Sequence, residues 1–330
     1  MPGSQLQYRL YTDQDLPGVL DLWEKHSGWG GISQEDFNTW YLNTPYGSCI
    51  IIVAVNETGQ IVGQKIFIPS LIQIKDKQVK ALRISAPILH ENFRQTAITR
   101  ANHPAYSMLR SGIEAAIHQG YKIVYLYPAL GWVTPMRLCH SFNLPRIDIA
   151  TFDCFGISLN DPATLYPLSD DLVVTELKID FHNDHNELWN EAVHNFPISC
   201  GVVRNTKWLN WKSGGHLVLE VRNAQSQLLK GYLCLNKQSG LVVDMLARTE
   251  QDAGKILKSV IHSVHHLNPQ RIPIPSNEIN GMYTATFQSL LKNIKYGFKK
   301  FRFAFGCFPL DISICDEDIK PSNWYMMPND

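Results

Sequence analysis

Three apolar runs follow one another between Cys49 and His90, and they constrain this chain more than anything else in it. "CIIIVAV" turns through "NETG" into "QIVGQKIFIPSLIQI", and after "KDK" comes "QVKALRISAPILH". β-Branched residues fill the runs, and Asn, Gly, Lys and Asp separate them, so the pattern predicts a hairpin followed by a third strand. A sheet of such strands needs helices to cover it. The flanking sequence supplies them. After a short strand "QYRLY", the segment "TDQDLPGVLDLWEKH" places Leu16, Val19, Leu20 and Trp23 at helical spacing, with Thr12 or Asp13 as cap. "SQEDFNTWYLN" opens at Ser33 and sets Phe37, Trp40 and Tyr41 on one face. Beyond the strands a helix is expected from about Ala105 to Gln119, with Met108, Leu109, Ile113, Ala116 and Ile117 inward. A buried strand "YKIVYLYP", a short helix "GWVTPMRLCHSFNL" and a closing strand "RIDIATFDCFGI" complete the first half.

The chain has 330 residues, which suits two domains. Pro162, Pro167 and the Asn, Asp and Ser residues around them mark a linker at 159–173, between an N-terminal lobe, 1–158, and a C-terminal lobe, 174–330. The second lobe repeats the element order of the first. Helices "NDHNELWNEAVHNF" and "NTKWLNWKSG" precede strands "HLVLEVR", "QLLKGYLCLN" and "GLVVDMLA". Then come a helix "TEQDAGKILKSVIHSVHHL", a strand "RIPIP", a helix "GMYTATFQSLLKNIKYG" and a strand "KKFRFAFGCF".

Thirty basic and thirty acidic side chains cancel, so no global field draws nucleic acid or an anionic membrane. The lysines of "KNIKYGFKKFRF" read as a solvated helix end. Seven cysteines are scattered without a C-x-x-C, several inside apolar runs, which fits a reducing compartment. "MPGSQLQYRLYTDQD" has no signal-peptide pattern, and "CIIIVAV" is too short to span a bilayer, so a cytoplasmic protein is expected. His262 and His266 stand at i, i+4, a spacing that metal ligands use, but no third ligand accompanies them; a solvated helix face and no metal are expected.

The element order, taken twice, resembles the GNAT acetyltransferase superfamily. "LHENFR" (Leu89–Arg94) is similar to that family's "V-x-P-E-x-R" exit from its fourth strand, and "YPALGWVTPMRLCHSF" to its "P-N-x-x-x-x-x-Y-x-x-x-G-F". "SLLKNIKYGFKKFRF" resembles its "L-x-x-x-G-F" ending. "VVRNTKWLNWK" (Val202–Lys212) and "NWYMMPND" (Asn323–Asp330) resemble segments of a two-lobed bacterial subgroup. The resemblance implies an α/β fold of two tandem GNAT-like lobes, each a mixed, mostly antiparallel twisted sheet flanked by helices. It implies transfer of an acyl group, most simply acetyl, from acetyl-coenzyme A to a small-molecule or peptide amine bound between the lobes. Aminoacyl or long-chain acyl transfer is the alternative within the same layout, and a non-catalytic binding module is the alternative outside it.

In that family the coenzyme's pyrophosphate sits where a glycine-rich hinge enters a helix. The matching hinge here, "ENFRQTAITRANHPAYSMLRSG", is without glycine from Glu91 until Gly112. The resemblance implies that Ile88, Leu89, Arg94, Gln95, Thr96, Ala97, Arg100 and Ala105 line the coenzyme. Two registers of the hinge fit, one starting at Arg94 and one at Arg100, and Arg94, Arg100 and Arg110 could clamp phosphates by side chain. Either the arginines replace the glycines or the coenzyme site is lost. The family's acid tyrosine falls on Arg137, which leaves Tyr127, Tyr125 and His140 as substitutes; Glu91, His90 and His103 are candidate bases. "GWGG" (Gly28–Gly31) matches the acceptor loop. Trp324 and Tyr325 are expected to pack, and Asp330 to fray.

Overall fold

The computed structural model describes residues 6–94, 100–158, 170–178, 180–195, 198–237, 241–266, 278–283, 299–327 and 330. In chain order the elements are β1 (Gln7–Leu10), α1 (Leu16–His26), α2 (Gln34–Phe37), β2 (Ile50–Val55), β3 (Ile61–Ile74), β4 (Lys77–Leu89), α3 (Glu91–Arg94), α4 (Pro104–His118), β5 (Ile123–Leu126), α5 (Val133–Arg137) and β6 (Asp148–Ser158). They continue with β7 (Leu172–Glu176), α6 (Asn183–Asn195), β8 (Cys200–Val202), α7 (Thr206–Lys212), β9 (Leu217–Asn223), β10 (Leu229–Leu235), β11 (Val242–Ala247), α8 (Glu250–His266), β12 (Glu278–Tyr283), β13 (Lys299–Pro309) and β14 (Trp324–Tyr325). Among the described residues no helix is long and apolar enough to cross a membrane.

The chain forms two compact units, and they interleave in sequence. The first comprises Met1–Ile72, Gln78–Ala150 and Ala304–Pro321; the second comprises Gln73–Lys77, Thr151–Phe303 and Ser322–Asp330. The linear division at 158 and 174 therefore differs from the packing. Most of the expected linker, 159–169, lies outside the described residues, and β7 already begins at Leu172.

In the first unit the strand order is β1-β2-β3-β4-β5-β13. Neighbours run antiparallel in the pairs β1–β2, β2–β3 and β5–β13, while β4 and β5 run parallel. The far end of the chain thus fills the place beside β5, with Gly306 opposite Leu126 and Pro309 opposite Ile123. Alternation along β13 gives both faces apolar cover: Phe305 and Cys307 on one, Ala304 and Phe308 on the other, all buried.

One face of this sheet carries α4. Met108, Leu109, Ile113 and Ala116 are buried as expected, while Ile117 is exposed. The contact stripe is centred on Gly112, where a Cβ would stand 2.0 Å from the Phe67 ring, and Ile117 falls off its edge. Gly63 serves the same close approach from the sheet, since a Cβ there would meet Leu89 at 2.9 Å and Met108 at 3.4 Å. Gly63 and Gly112 are therefore packing residues. Val19, Leu22 and Trp23 of α1 are buried with Phe37 of α2; Leu22 takes the inward place expected of Leu20. Ser33 caps α2 by accepting the Asp36 N–H at 3.0 Å.

The second unit holds an antiparallel sheet ordered β11-β10-β9-β7, with α6 and α8 packed on it. β12 pairs antiparallel with β6, Glu278 opposite Ser158. Gly281–Tyr283, expected to open a helix, are thus strand; the rest of that helix and the "RIPIP" strand lie outside the described residues. β14 pairs with β8 in parallel, Trp324 opposite Cys200.

Asp330 itself is not frayed. Asp330 is 1% exposed, and its carboxylate accepts two hydrogen bonds from Arg204 Nη2, at 2.8 and 3.0 Å, and one from the Met327 N–H at 2.8 Å. Arg204 Nε donates to Asp244 at 2.8 Å and Nη1 to the Val202 carbonyl, while the Tyr232 hydroxyl donates to the other Asp244 oxygen. Trp189, Trp208 and Tyr325 surround the guanidinium at 4.8–5.8 Å. The "V-x-R…W-L" and "W-Y…D" segments are thereby one structural knot, a buried charge satisfied on every side.

Candidate active site

The first unit opens between β4 and β5. Their parallel pairing runs from Ala81 opposite Ile123 to Ile84 opposite Leu126 and then stops. β5 passes into Tyr127 and Pro128, and a proline has no N–H to extend a ladder. β4 continues to Leu89, but Ala86 adopts φ 42°, a left-handed conformation that bends the strand. Beyond that point β4 has no β5 partner among the described residues. The strands part there.

At the end of β4, four of the expected residues come together. Ile88 and Leu89 are buried, and Glu91 and Arg94 sit on the exposed four-residue α3. Arg94 Nε donates to the Leu89 carbonyl at 2.6 Å and Nη2 donates to the His26 carbonyl, so this guanidinium ties the end of β4 to the end of α1. His26 was not among the expected residues. Its ring lies 4.1 Å from that of His90, and burial, then the neighbouring His90 and Arg94, lowers its pKa, against the pull of Glu91. Its position as the last residue of α1, just before "GWGG", was the available signal.

His103 and Ala105 begin α4. His103 is 3% exposed and is the N-cap, its Nδ1 accepting the Ala105 N–H at 3.1 Å. Burial, then the nearby Lys65 ammonium, lowers the His103 pKa. A neutral imidazole suits an accepting cap. The nitrogen needed by a base is thus engaged. The other first-turn amides are also engaged: Tyr106 and Ser107 both donate to the His103 carbonyl, and Pro104 has no N–H. The helix keeps its dipole but holds its amides to itself. Arg110 Nη2 donates to the Phe142 carbonyl at 2.8 Å, and Arg100 is exposed. Gln95, Thr96 and Ala97 lie outside the described residues.

Opposite α4, the sheet presents polar groups. Leu82, Ile84, Val124 and Leu126 pack with the α4 core. Alternation then sends Arg83, Tyr125 and Tyr127 to the other face. Tyr125 is 1% exposed, packed near Phe305. The Tyr127 ring meets Phe305 edge-on at 5.1 Å and lies under the Arg83 guanidinium at 5.5 Å. Gln64, between Gly63 and Lys65 of the α4 side, shares the Arg83 face; both its amide atoms are buried without a hydrogen-bond partner among the described residues. Arg137, at the family's tyrosine position, donates to the Ile149 carbonyl, and His140, the remaining acid candidate, is exposed.

In the second unit, His182, His185 and Glu220 lie close enough together to hold a metal ion. His185 faces His182 with Nδ1 at 3.0 Å and Glu220 with Nε2 at 3.2 Å, so its two nitrogens serve different neighbours. Arg222 donates to Glu220 at 3.0 Å and to Asp184 at 2.8 Å, placing a cation where a metal would need anions. Burial alone would raise the Glu220 pKa, but His185 and Arg222 bring it down to about 2.

No protein-family model and no curated protein matches the sequence. Solved structures do match. A GCN5-related N-acetyltransferase from Anabaena variabilis superposes with a TM-score of 0.68 at 11% identity, over 93% of this chain and 74% of that one. N-myristoyltransferase from Saccharomyces cerevisiae, with bound myristoyl-CoA, gives 0.58 at 11% identity, over 93% and 85%. A tandem GNAT protein from the clavulanic acid biosynthesis pathway gives 0.54 at 12% identity, over 93% and 99%. The chain has the GNAT fold.

Proposed function

We propose that this protein is an acyl-CoA-dependent N-acyltransferase, most simply an acetyltransferase, acting on an amine. The observation that carries this is the parting of β4 and β5 beyond Ile84 and Leu126, with a bent β4 edge free of β5. An extended chain of amide groups, such as pantetheine, pairs with such an edge as a further strand would. Yeast N-myristoyltransferase, which shares the fold, is known with myristoyl-CoA bound. In this chain Ile88 and Leu89 would flank the acyl-bearing arm, and Arg94, Arg100, Ala105 and the hinge residues Gln95, Thr96 and Ala97 would lie toward the phosphates.

The amine nitrogen attacks the thioester carbonyl, forming the C–N bond; the C–S bond then breaks. Glu91 is the base that takes the ammonium proton, directly or through water, and the Tyr127 hydroxyl gives a proton to the departing thiolate. His103 acts as the cap that sets the start of α4.

A non-catalytic module is the second reading, favoured by one observation: the first-turn amides of α4 are taken by its own chain. Thiol release from acetyl-CoA in the presence of an amine panel separates the two. Amine-dependent release supports the enzyme. Amine binding without acyl-CoA binding supports the module.

A further inference from the structure

The face of the first-unit sheet opposite α4 carries a cation that no carboxylate of the described residues neutralises. Arg83 stands on β4 at the last rungs before the strands part, opposite Tyr125. Its side chain is half-buried, and Nε is buried without a hydrogen-bond partner among the described residues. Among the described residues it faces no carboxylate. The contrast with other arginines is plain. Arg9 is held by Asp15, Arg204 by Asp244 and Asp330, Arg222 by Asp184 and Glu220, and Arg248 by Glu191. A half-buried guanidinium without an oxygen partner is unfavourable, and it is readily relieved when a ligand brings the counter-charge.

The surroundings also orient the group. The guanidinium lies 5.5 Å from the centre of the Tyr127 ring, a stacking that limits its rotamers. Tyr41 is near: burial, then Cys49, pushes its hydroxyl up to about 12, against the pull of Arg83, so at neutral pH it stays an uncharged donor. One guanidinium fork with a phenol nearby matches the two coplanar oxygens of a carboxylate. A phosphate dianion would call for more positive charge than one arginine supplies.

We propose that the acceptor amine carries a carboxylate close to its amino group, that is, an amino acid, and that Arg83 binds that carboxylate. Since Arg83 precedes the parting of the strands by one residue, a carboxylate held there brings a nearby amine to the free β4 edge. This role for Arg83 in catalysis rests on the acyltransferase function proposed above. Its role in binding does not.

The two are therefore tested separately. Calorimetry on the full chain, first without acyl-CoA, uses the proteinogenic L-amino acids and their carboxamides as probes. At least one acid is expected to bind, and its carboxamide to bind roughly 10- to 100-fold more weakly, as for loss of a charge-assisted pair. Arg83→Gln abolishes the difference and Arg83→Lys keeps part of it, both with melting temperatures near wild type. Acids and amides binding alike, or none binding at millimolar concentration, overturns the proposal. So does an Arg83→Gln variant that weakens acetyl-CoA binding while leaving amino-acid binding unchanged, since Arg83 would then serve the coenzyme. Acetyl-CoA binding itself, measured on the same proteins, judges the acyltransferase function independently.

Discussion

Replacing Asp330 by alanine tests whether the tail is structural. In the native chain its carboxylate accepts both Arg204 Nη2 bonds and the Met327 N–H, at 2.8–3.0 Å, in a site 1% exposed. Removing one partner of a buried ion pair destabilises by about 3–5 kcal/mol. Arg204 retains Asp244 and the Val202 carbonyl, which places this case at the lower end, about 3 kcal/mol. For a chain of this size that is a fall of roughly 6–12 °C in Tm. Asp330→Asn keeps one acceptor and should lose about half as much. Trp189 and Trp208, with rings 5.8 and 5.6 Å from the guanidinium carbon, make intrinsic fluorescence in urea or heat a local reporter. The pH dependence adds a second check. Burial, against Arg204, pushes the Asp330 carboxyl up to about 6 from its ordinary 3.8. A raised carboxyl contributes stability below its unfolded pKa and loses it as pH rises through the folded value. The wild-type advantage over Asp330→Ala should therefore narrow between about pH 4 and pH 6. An Asp330→Ala protein within about 0.5 kcal/mol of wild type would refute the knot and restore the frayed tail.

Two further substitutions probe the first unit. Lys65 is 4% exposed, and burial lowers its pKa to about 8 from 10.5. The folded state thus disfavours its charge, and Lys65→Met should stabilise by about 1–3 kcal/mol at pH 7, a gain that shrinks as wild type recovers between about pH 8 and 10.5; urea melts at both ends of that range check it. Asp15 is brought down to about 2, first by its hydrogen bond with Arg9, against burial, and further by the Thr12 N–H and hydroxyl. A depressed carboxylate stabilises above its unfolded pKa and is lost on acidification. Because Arg9 is 35% exposed and solvent-screened, Asp15→Asn should cost only about 1 kcal/mol at pH 7, and this difference should vanish in acid melts between about pH 4 and pH 2.

Periodicity made most elements legible, because each is decided by its own residues. The runs from Cys49 to His90 are β2, β3 and β4, and the spacing of Met108, Leu109, Ile113 and Ala116 is α4. What failed depended on distant parts of the chain. "KKFRFAFGCF" reads as a strand, but nothing within it says that its end pairs with β5, because strand identity is local and strand partnership is not. "GMY" has good helical context to its right, yet pairing with β6 makes it strand. Asp330 looked like a loose end because its partner, Arg204, stands far away in sequence. At the site, the glycine-poor hinge and the arginine at the family's tyrosine position, Arg137, stand in the sequence itself. That Gly63 and Gly112 serve close packing, and that His103 uses its nitrogen as a cap, follow only from what α4 packs against. His26 and Arg83 escaped notice because neither belongs to a motif; the fold alone brings one beside His90 and the other beside Tyr127.

The most direct test of the acyltransferase account is calorimetric titration of the full chain with acetyl-CoA and a series of longer acyl-CoA thioesters. The account expects saturable binding of at least one thioester in the micromolar range, about −8 kcal/mol at 1 μM, and tighter binding of the acyl thioester than of free coenzyme A. No heat and no competition by any thioester at millimolar concentration would contradict it, and would mean that the fold has kept the parted strands without the coenzyme they suit.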